Sequence, residues 1–257
     1  MTIIQMLILF IAAILGGTLN AVAGGGSFIG FPSLIFTGIH PIEANATNAI
    51  ALWPGSVASV GAYRRELAQQ PRDLLFLLVG TSLIGGILGA ILLLKTPKEI
   101  FIHLVPYLLL VATLLFTFSG PITSKLRQRS AEKASRMTIP ALVGVSVAQL
   151  IISIYGGYFG GGIGILMLAT LAMMGMENIH EMNAMKTVLT SCINGVAVVT
   201  FIIAGAVVWQ PAILMIVGAI IGGYAGAYYA RKIEQKWIRS FVIVMGFSLS
   251  VYFFFFR

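Results

Sequence analysis

The sequence predicts an all-α, polytopic transmembrane helical bundle built from two inverted repeats, each a glycine-broken helical hairpin plus three spanning helices. Three observations predict it. First, 58% of the residues are hydrophobic and 9% charged, where soluble domains carry about 25% charged residues. The mean hydropathy of +0.98 places the chain in lipid. Second, the apolar stretches come in two lengths, one near the ~20 residues that span a bilayer and one about half that. Third, the pattern of the first half recurs in the second, with the loop charges exchanged.

The long stretches in order are 3–22, 44–63, 74–94, 99–119, 138–157, 182–206, 211–230 and 238–256. Two short ones, 27–38 and 163–175, follow glycine triplets at 24–26 and 160–162. "LIGGILGAILL" at 83–93 aligns with "IIGGYAGAYYA" at 220–230, so Gly85, Gly86 and Gly89 fall on Gly222, Gly223 and Gly226. "EANAT" at 43–47 aligns with "EMNAM" at 181–185, pairing Glu43 with Glu181 and Asn45 with Asn183. The offset stays near 137 residues, as an internal duplication requires. It divides the chain into a first repeat (1–121), a basic linker (122–137) and a second repeat (138–257).

Charge sets the expected orientation. The linker carries Lys125, Arg127, Arg129, Lys133 and Arg136, which the positive-inside rule puts in the cytoplasm. The loops with Arg64, Arg65 and Arg72 and with Arg231, Lys232, Lys236 and Arg239 fall on the same side. Their repeat equivalents, 206–210 and 94–102, fall outside. Lys95 and Lys98 in 94–102 run against the rule. Corresponding loops thus lie on opposite faces, so the halves are inverted, with an odd number of crossings each and both termini outside. The expected location is the cell membrane.

Residues 1–42 carry no charged side chain. They lack the cationic start of a secretory signal, and "AVA" at 21–23 reads as part of the mature protein. The net charge of +8 reflects those loops, so a nucleic-acid partner is not expected. A lone Cys192 and three scattered histidines give no metal-ligand spacing, and no cofactor or metal is expected. Ser-His-Asp, H-E-x-x-H and paired intramembrane carboxylates are missing from the sequence, as is a P-loop. An enzyme is therefore not expected.

The triplets pose the functional question. Glycine in a helix interior costs roughly 1 kcal/mol against alanine, and three together break the helix. Inverted repeats with broken helices are a recurring transporter design, the half-helix starts meeting near mid-membrane. Each start offers unpaired N–H groups and partial positive charge, a ready anion site. We therefore expect 23–27 and 159–163 to be non-helical, buried and close together, with Gly25, Gly26, Ser27, Gly161 and Gly162 at the substrate. Close helix packing is the alternative reading of glycine, and it suits Gly85, Gly86, Gly89 and their equivalents.

Polar residues follow each half-helix: Asn45, Thr47, Asn48 and Ser56, then Asn183, Lys186, Thr187, Thr190, Ser191 and Asn194. Asn45 and Asn48, like Asn183 and Lys186, share a helix face. Asn45, Asn48, Asn183, Lys186 and Asn194 are the candidate substrate residues; interhelical glue is the other reading of the asparagines. Lys186 stands where the first half has Asn48. It either supplies positive charge to the site or snorkels to the interface. Glu43 and Glu181, near helix starts, suit the helix dipole.

"GGTLNAVAGGGSFIGFPSLIFTGIHPIEANATNAIALWPGS" (16–56) and "YGGYFGGGIGILMLATLAMMGM" (155–176) resemble the two signatures of the TauE/SafE family of membrane transporters, and the likeness covers essentially the whole chain. The resemblance implies export of a small anion, sulfite or an organosulfonate such as sulfoacetate, across the lipid bilayer by alternating access at a mid-membrane site. An anion channel on the same scaffold is the alternative. The second half departs from the first where Met167 and Leu168 replace Phe31 and Pro32, so the two half-helices are expected to differ in geometry.

Overall fold

The computed structural model describes residues 1–23, 25–131, 139–174, 176, 178–229 and 235–255. These form α1 (Ile3–Ala23), α2 (Ser27–Phe36), α3 (Pro41–Ala62), α4 (Arg64–Leu67), α5 (Arg72–Lys95) and α6 (Lys98–Ala131). The second half supplies α7 (Ile139–Tyr158), α8 (Ile163–Met173), α9 (Ile179–Ile203), α10 (Trp209–Tyr229) and α11 (Gln235–Phe255). No strand occurs among the described residues. The protein is an all-helical membrane bundle.

Local chemistry sets the boundaries. Pro41 opens α3 after an extended His40, using proline's fixed φ where its missing N–H costs nothing. Asn178 caps α9 by accepting from the His180 amide at 2.9 Å, and its own amide donates to Glu181 Oε1 at 3.0 Å. Glu181 also accepts from Gln70, so it serves the start of its helix and the neighbouring loop. Two expectations differ in detail. The Arg64–Arg72 loop contains the one-turn α4. Helix α6 also continues through the start of the basic linker to Ala131, because 122–131 is rich in helix formers and lacks both glycine and proline. The rest of the linker lies outside the described residues, as do Arg231 and Lys232.

Among the described residues, four helices contain segments long and apolar enough to cross a bilayer: Ile3–Asn20, Arg72–Lys95, Lys98–Leu115 and His180–Ile203. On α1, Ile4, Leu7, Ile8, Ile11 and Leu15 are about half exposed or more, while Leu9, Ala12 and Ala13 are buried. A continuous exposed apolar stripe suits lipid and is a liability in water. Helix α2 is too short to span, and Phe28, Phe31, Leu34 and Ile35 bury it inside protein. The Gln5 amide donates to the Thr37 carbonyl at 3.3 Å, which folds α1 and α2 into a hairpin.

Helices α3 and α9 cross at the centre and run antiparallel. Gln70 reaches Glu181, the Trp53 indole donates to the Ser191 carbonyl at 3.1 Å, and Thr47 accepts from the Val208 amide at 3.0 Å. Around them α1 packs along α10 and α7 along α5. A Cβ on Gly222 would meet the Ile14 carbonyl, one on Gly17 the Ala219 backbone, and one on Gly89 the Ile154 carbonyl. These glycines let backbones touch, as membrane helices require. Gly223 makes no such approach: a Cβ there would have the Gly17 carbonyl as its nearest neighbour, at 3.9 Å. The surroundings of Gly226 lie outside the described residues. Gln149, buried between α5 and α7, donates to Ser82 at 2.7 Å and adds a polar tie.

Candidate functional site

The two breaks are built differently. In the first, α1 runs through Ala23 and Ser27 already belongs to α2, so the described break is Gly25–Gly26, shorter than expected. Gly26 has right-handed helical geometry (φ −58°); what it needs is space. A Cβ there would fall 2.9 Å from Asn20 Cβ and 3.1 Å from Leu52 Cδ1, and would press on the Gly16 carbonyl. In the second, residues 159–162 are non-helical, and Gly160 (φ 78°) and Gly162 (φ 72°) are left-handed, a region that a side chain makes costly. The Tyr155 hydroxyl donates to the Gly161 carbonyl at 2.7 Å and holds this turn. Neither half-helix has a side-chain cap. Among the described residues, the amides of Ser27 and Gly164 donate to no carbonyl.

Both starts open on one cavity of about 190 Å³ between α3 and α9. Drug-sized pockets run roughly 300–1,000 Å³, so this space suits a small solute. Helix α3 contributes Asn45, Asn48, Ala49, Leu52 and Ser56, and α9 contributes Lys186, Thr187, Thr190 and Asn194. Asn48, Ala49, Leu52 and Ser56 stand 138 positions before those four α9 residues, so positions that the sequence alignment of the two halves pairs line the same cavity. Ser27 enters from the first break, Gly160 and Gly162 from the second.

Donors dominate. The Lys186 ammonium donates to Asn183 Oδ1 at 3.0 Å, its one side-chain hydrogen bond among the described residues; an ammonium has three donors. Its stem lies against Gly164 at the start of α8, where a Cβ would sit 3.4 Å from Lys186 Cδ. Lys186 is the one charged residue in the described lining, and no carboxylate accompanies it. The Asn48 amide donates to Ser27 Oγ at 3.2 Å. The Asn45 amide donates to the Tyr158 carbonyl at 3.1 Å, tying α3 to the end of α7 while lining the cavity. The Thr187 and Thr190 hydroxyls donate back to the Asn183 and Lys186 carbonyls, each at 2.7 Å, so they present oxygen rather than hydrogen.

Of the residues singled out in the sequence, Ser27, Asn45, Asn48, Gly162, Lys186 and Asn194 line the cavity. Gly25, Gly26 and Gly161 are buried in the turns behind it, and Asn183 stands behind Lys186 as its acceptor. Sequence reasoning missed Asn20, which lines the cavity and donates to Ser56 at 3.4 Å. An amide far from the start of an otherwise largely apolar span was the available signal. It also missed Tyr63, at the α3 end of the cavity, and Gly160.

Comparison with known proteins agrees with this architecture. The family model described as "Sulfite exporter TauE/SafE" matches residues 9–253. The chain is 29% identical over 244 residues to a "Probable membrane transporter protein" of Haemophilus influenzae, covering 95% of this chain and 92% of that one. It is 27% identical to "Probable membrane transporter protein ORF9" of a Sinorhizobium species, covering 95% and 90%. It is 26% identical to "Probable membrane transporter protein YfcA" of Escherichia coli, covering 95% and 87%. No solved structure matches. The chain belongs to the sulfite exporter TauE/SafE family of membrane transporters.

Proposed function

We propose that the protein is a secondary transporter exporting a small oxidised-sulfur anion, sulfite or an organosulfonate such as sulfoacetate, by alternating access. The observation that carries this reading is the shared cavity, where two half-helix starts and one lysine converge with no carboxylate in the described lining. An anion entering such a space loses water and must regain several kcal/mol from donors and positive potential. The amides of Ser27 and Gly164, which donate to no carbonyl among the described residues, supply them together with the Lys186 donors left unpaired there and the Asn194 amide. Because Asn48 donates to the Ser27 oxygen, the hydroxyl proton is left for a ligand. The choice of sulfur rests on the family's description; the cavity itself asks for a small anion.

Two inverted repeats, 1–121 and 138–257, are the proposed scaffold. In support, α3 and its repeat equivalent α9 run antiparallel, and the halves exchange partners, α1 with α10 and α7 with α5. We place the linker 122–137 in the cytoplasm and both termini outside, on loop charge. The cavity's inner end is closed by Phe159 and Phe201, 6% and 1% exposed, and Phe31 packs edge-on against Phe159 at 5.6 Å. Ser56, Tyr63 and Lys186 at the other end are more exposed. In the proposed orientation the cavity faces the cytoplasm, the loading state of an exporter. The test is uptake into proteoliposomes. Saturable flux of sulfite or sulfoacetate with trans-acceleration by unlabelled substrate is expected; non-saturating flux without counterflow would mean a channel.

A further inference from the structure

A second space lies on the outer wall of the bundle, on the other side of the end of α7 from the anion cavity. It is an open groove of about 650 Å³ between the end of α5, the start of α6 and the last turns of α7. Its floor and sides are apolar: Leu92 from α5, Ile100 and Leu104 from α6, Ile151 and Ile154 from α7. Leu92, Ile100 and Ile151 are more than half exposed. At its head stand Lys95, Thr96 and Tyr158. The apolar segment of α5 ends at Lys95 and that of α6 begins at Lys98, so the head sits at the membrane surface and the apolar trough runs inward from it.

A cation and hydroxyls at the surface, with a hydrocarbon trough beneath, match one kind of occupant. We propose that this groove binds an anionic phospholipid, its phosphate at Lys95 and one acyl chain along Leu92, Ile100, Leu104 and Ile151. A zwitterionic lipid fills the trough equally but gains less from Lys95. Lys98 and Glu99, both exposed beside the head, do not line it. The lipid would also explain why the 94–102 loop carries lysines on the face where loop charge predicts few.

The groove also reaches the transport machinery. Tyr155, part of its wall, donates to the Gly161 carbonyl in the second break. Tyr158 pairs its hydroxyl with Thr96 at 3.4 Å and accepts the Asn45 amide at its carbonyl. A lipid clamped between α5, α6 and α7 therefore braces the turn that starts α8. The lipid site stands whether or not the transported solute is a sulfur anion, since its link to the anion cavity runs only through the second break and the Asn45 tie.

The test uses the purified, delipidated full chain in detergent, with phosphatidylglycerol and phosphatidylcholine of matched chains as probes. Phosphatidylglycerol is expected to raise the unfolding midpoint more than phosphatidylcholine. Soluble glycerol phosphate, a headgroup without tails, is expected to do nothing. Lys95→Gln should weaken phosphatidylglycerol binding by about fivefold, the worth of one basic residue at an anionic membrane surface. Lys98→Gln should leave it within about twofold. Leu104→Trp, which fills the trough, should abolish the effect of both lipids. Equal response to the two lipids, or unchanged phosphatidylglycerol binding in Lys95→Gln, overturns the proposal. So does binding that survives Leu104→Trp.

Discussion

The two glycine breaks occupy equivalent places in the two halves and use glycine for opposite reasons. At the first, Gly26 is conformationally ordinary but hemmed in by Gly16, Asn20 and Leu52. At the second, Gly160 and Gly162 are left-handed, and Gly160 is less crowded than Gly26: a Cβ added there would have the Gly156 carbonyl as its nearest neighbour, a tight 3.2 Å away. The first break is a packing device and the second a turning device. The polar side chains below them differ to match: a buried neutral Asn48 in one half, a charged Lys186 in the other. The same residue type at matching places in the two halves thus answers two different physical needs.

The sharpest way to break this comparison is at Gly26. Gly26→Asn should destabilise by about 3 kcal/mol, the upper range for overpacking, and Gly26→Ala by less, because added bulk is the whole of the problem. Thermal unfolding in detergent reads both. An Asn variant as stable as Ala would show that conformation, not space, limits this site.

The next effect concerns Lys186. Hydrogen bonds to charged groups contribute roughly 1.5–3 kcal/mol, so Lys186→Gln should weaken binding of the sulfonate-type anion about ten- to a hundredfold. Lys186→Arg should keep part of the affinity, since the charge persists but a planar fork replaces a compact ammonium. Calorimetric titration of the purified variants is the measurement. Affinity unchanged in Lys186→Gln would leave the anion to the helix starts and amides alone.

At Gly160 the order seen at Gly26 should invert. A Cβ in the left-handed region costs about 1–2 kcal/mol, and asparagine tolerates that region better than other side-chain-bearing residues. Gly160→Ala should therefore be less stable than Gly160→Asn, where Gly26→Ala is more stable than Gly26→Asn. The same melting experiment tests it, and a common order at both glycines would erase the distinction between the breaks.

Much of this was legible in the sequence, and the reasons are specific. Apolar run length located the helices because lipid demands it, so 74–94 appears as Arg72–Lys95 and 182–206 as Ile179–Ile203. The triplets announced both breaks. That glycine is needed for space at Gly26 but for backbone angle at Gly162 was not legible, because both needs write the same letter. Asn45 admits two readings in the sequence, substrate contact and interhelical glue; the structure shows it tying α3 to α7 and lining the cavity. Asn183 accepts from Lys186 and is not part of the cavity lining, a division that i, i+3 spacing alone does not make. Tyr63 was hidden because an aromatic at the end of a span reads as an interface residue, and its place at the cavity depends on how α3 and α9 cross.

The smallest effect is expected at Ser27, and it sharpens the contrast between the halves. Among the described lining, the first half brings no charge; its contribution is the start of α2 and a hydroxyl polarised by the Asn48 amide. Ser27→Ala removes one neutral hydrogen bond, a net of about 0.5–1.5 kcal/mol. It also frees the Asn48 amide, 3.2 Å away from the lost oxygen, to donate in its place. The loss in anion affinity should therefore fall near the low end, about two- to threefold, well below that of Lys186→Gln. Removing both Ser27 Oγ and the Asn48 amide should cost more than the two single changes predict, since each covers for the other. Titration of Ser27→Ala, Asn48→Ala and the double variant reads this directly. A Ser27→Ala loss as large as that of Lys186→Gln would mean that the two breaks hold the anion equally, and that the lysine is not what distinguishes the halves.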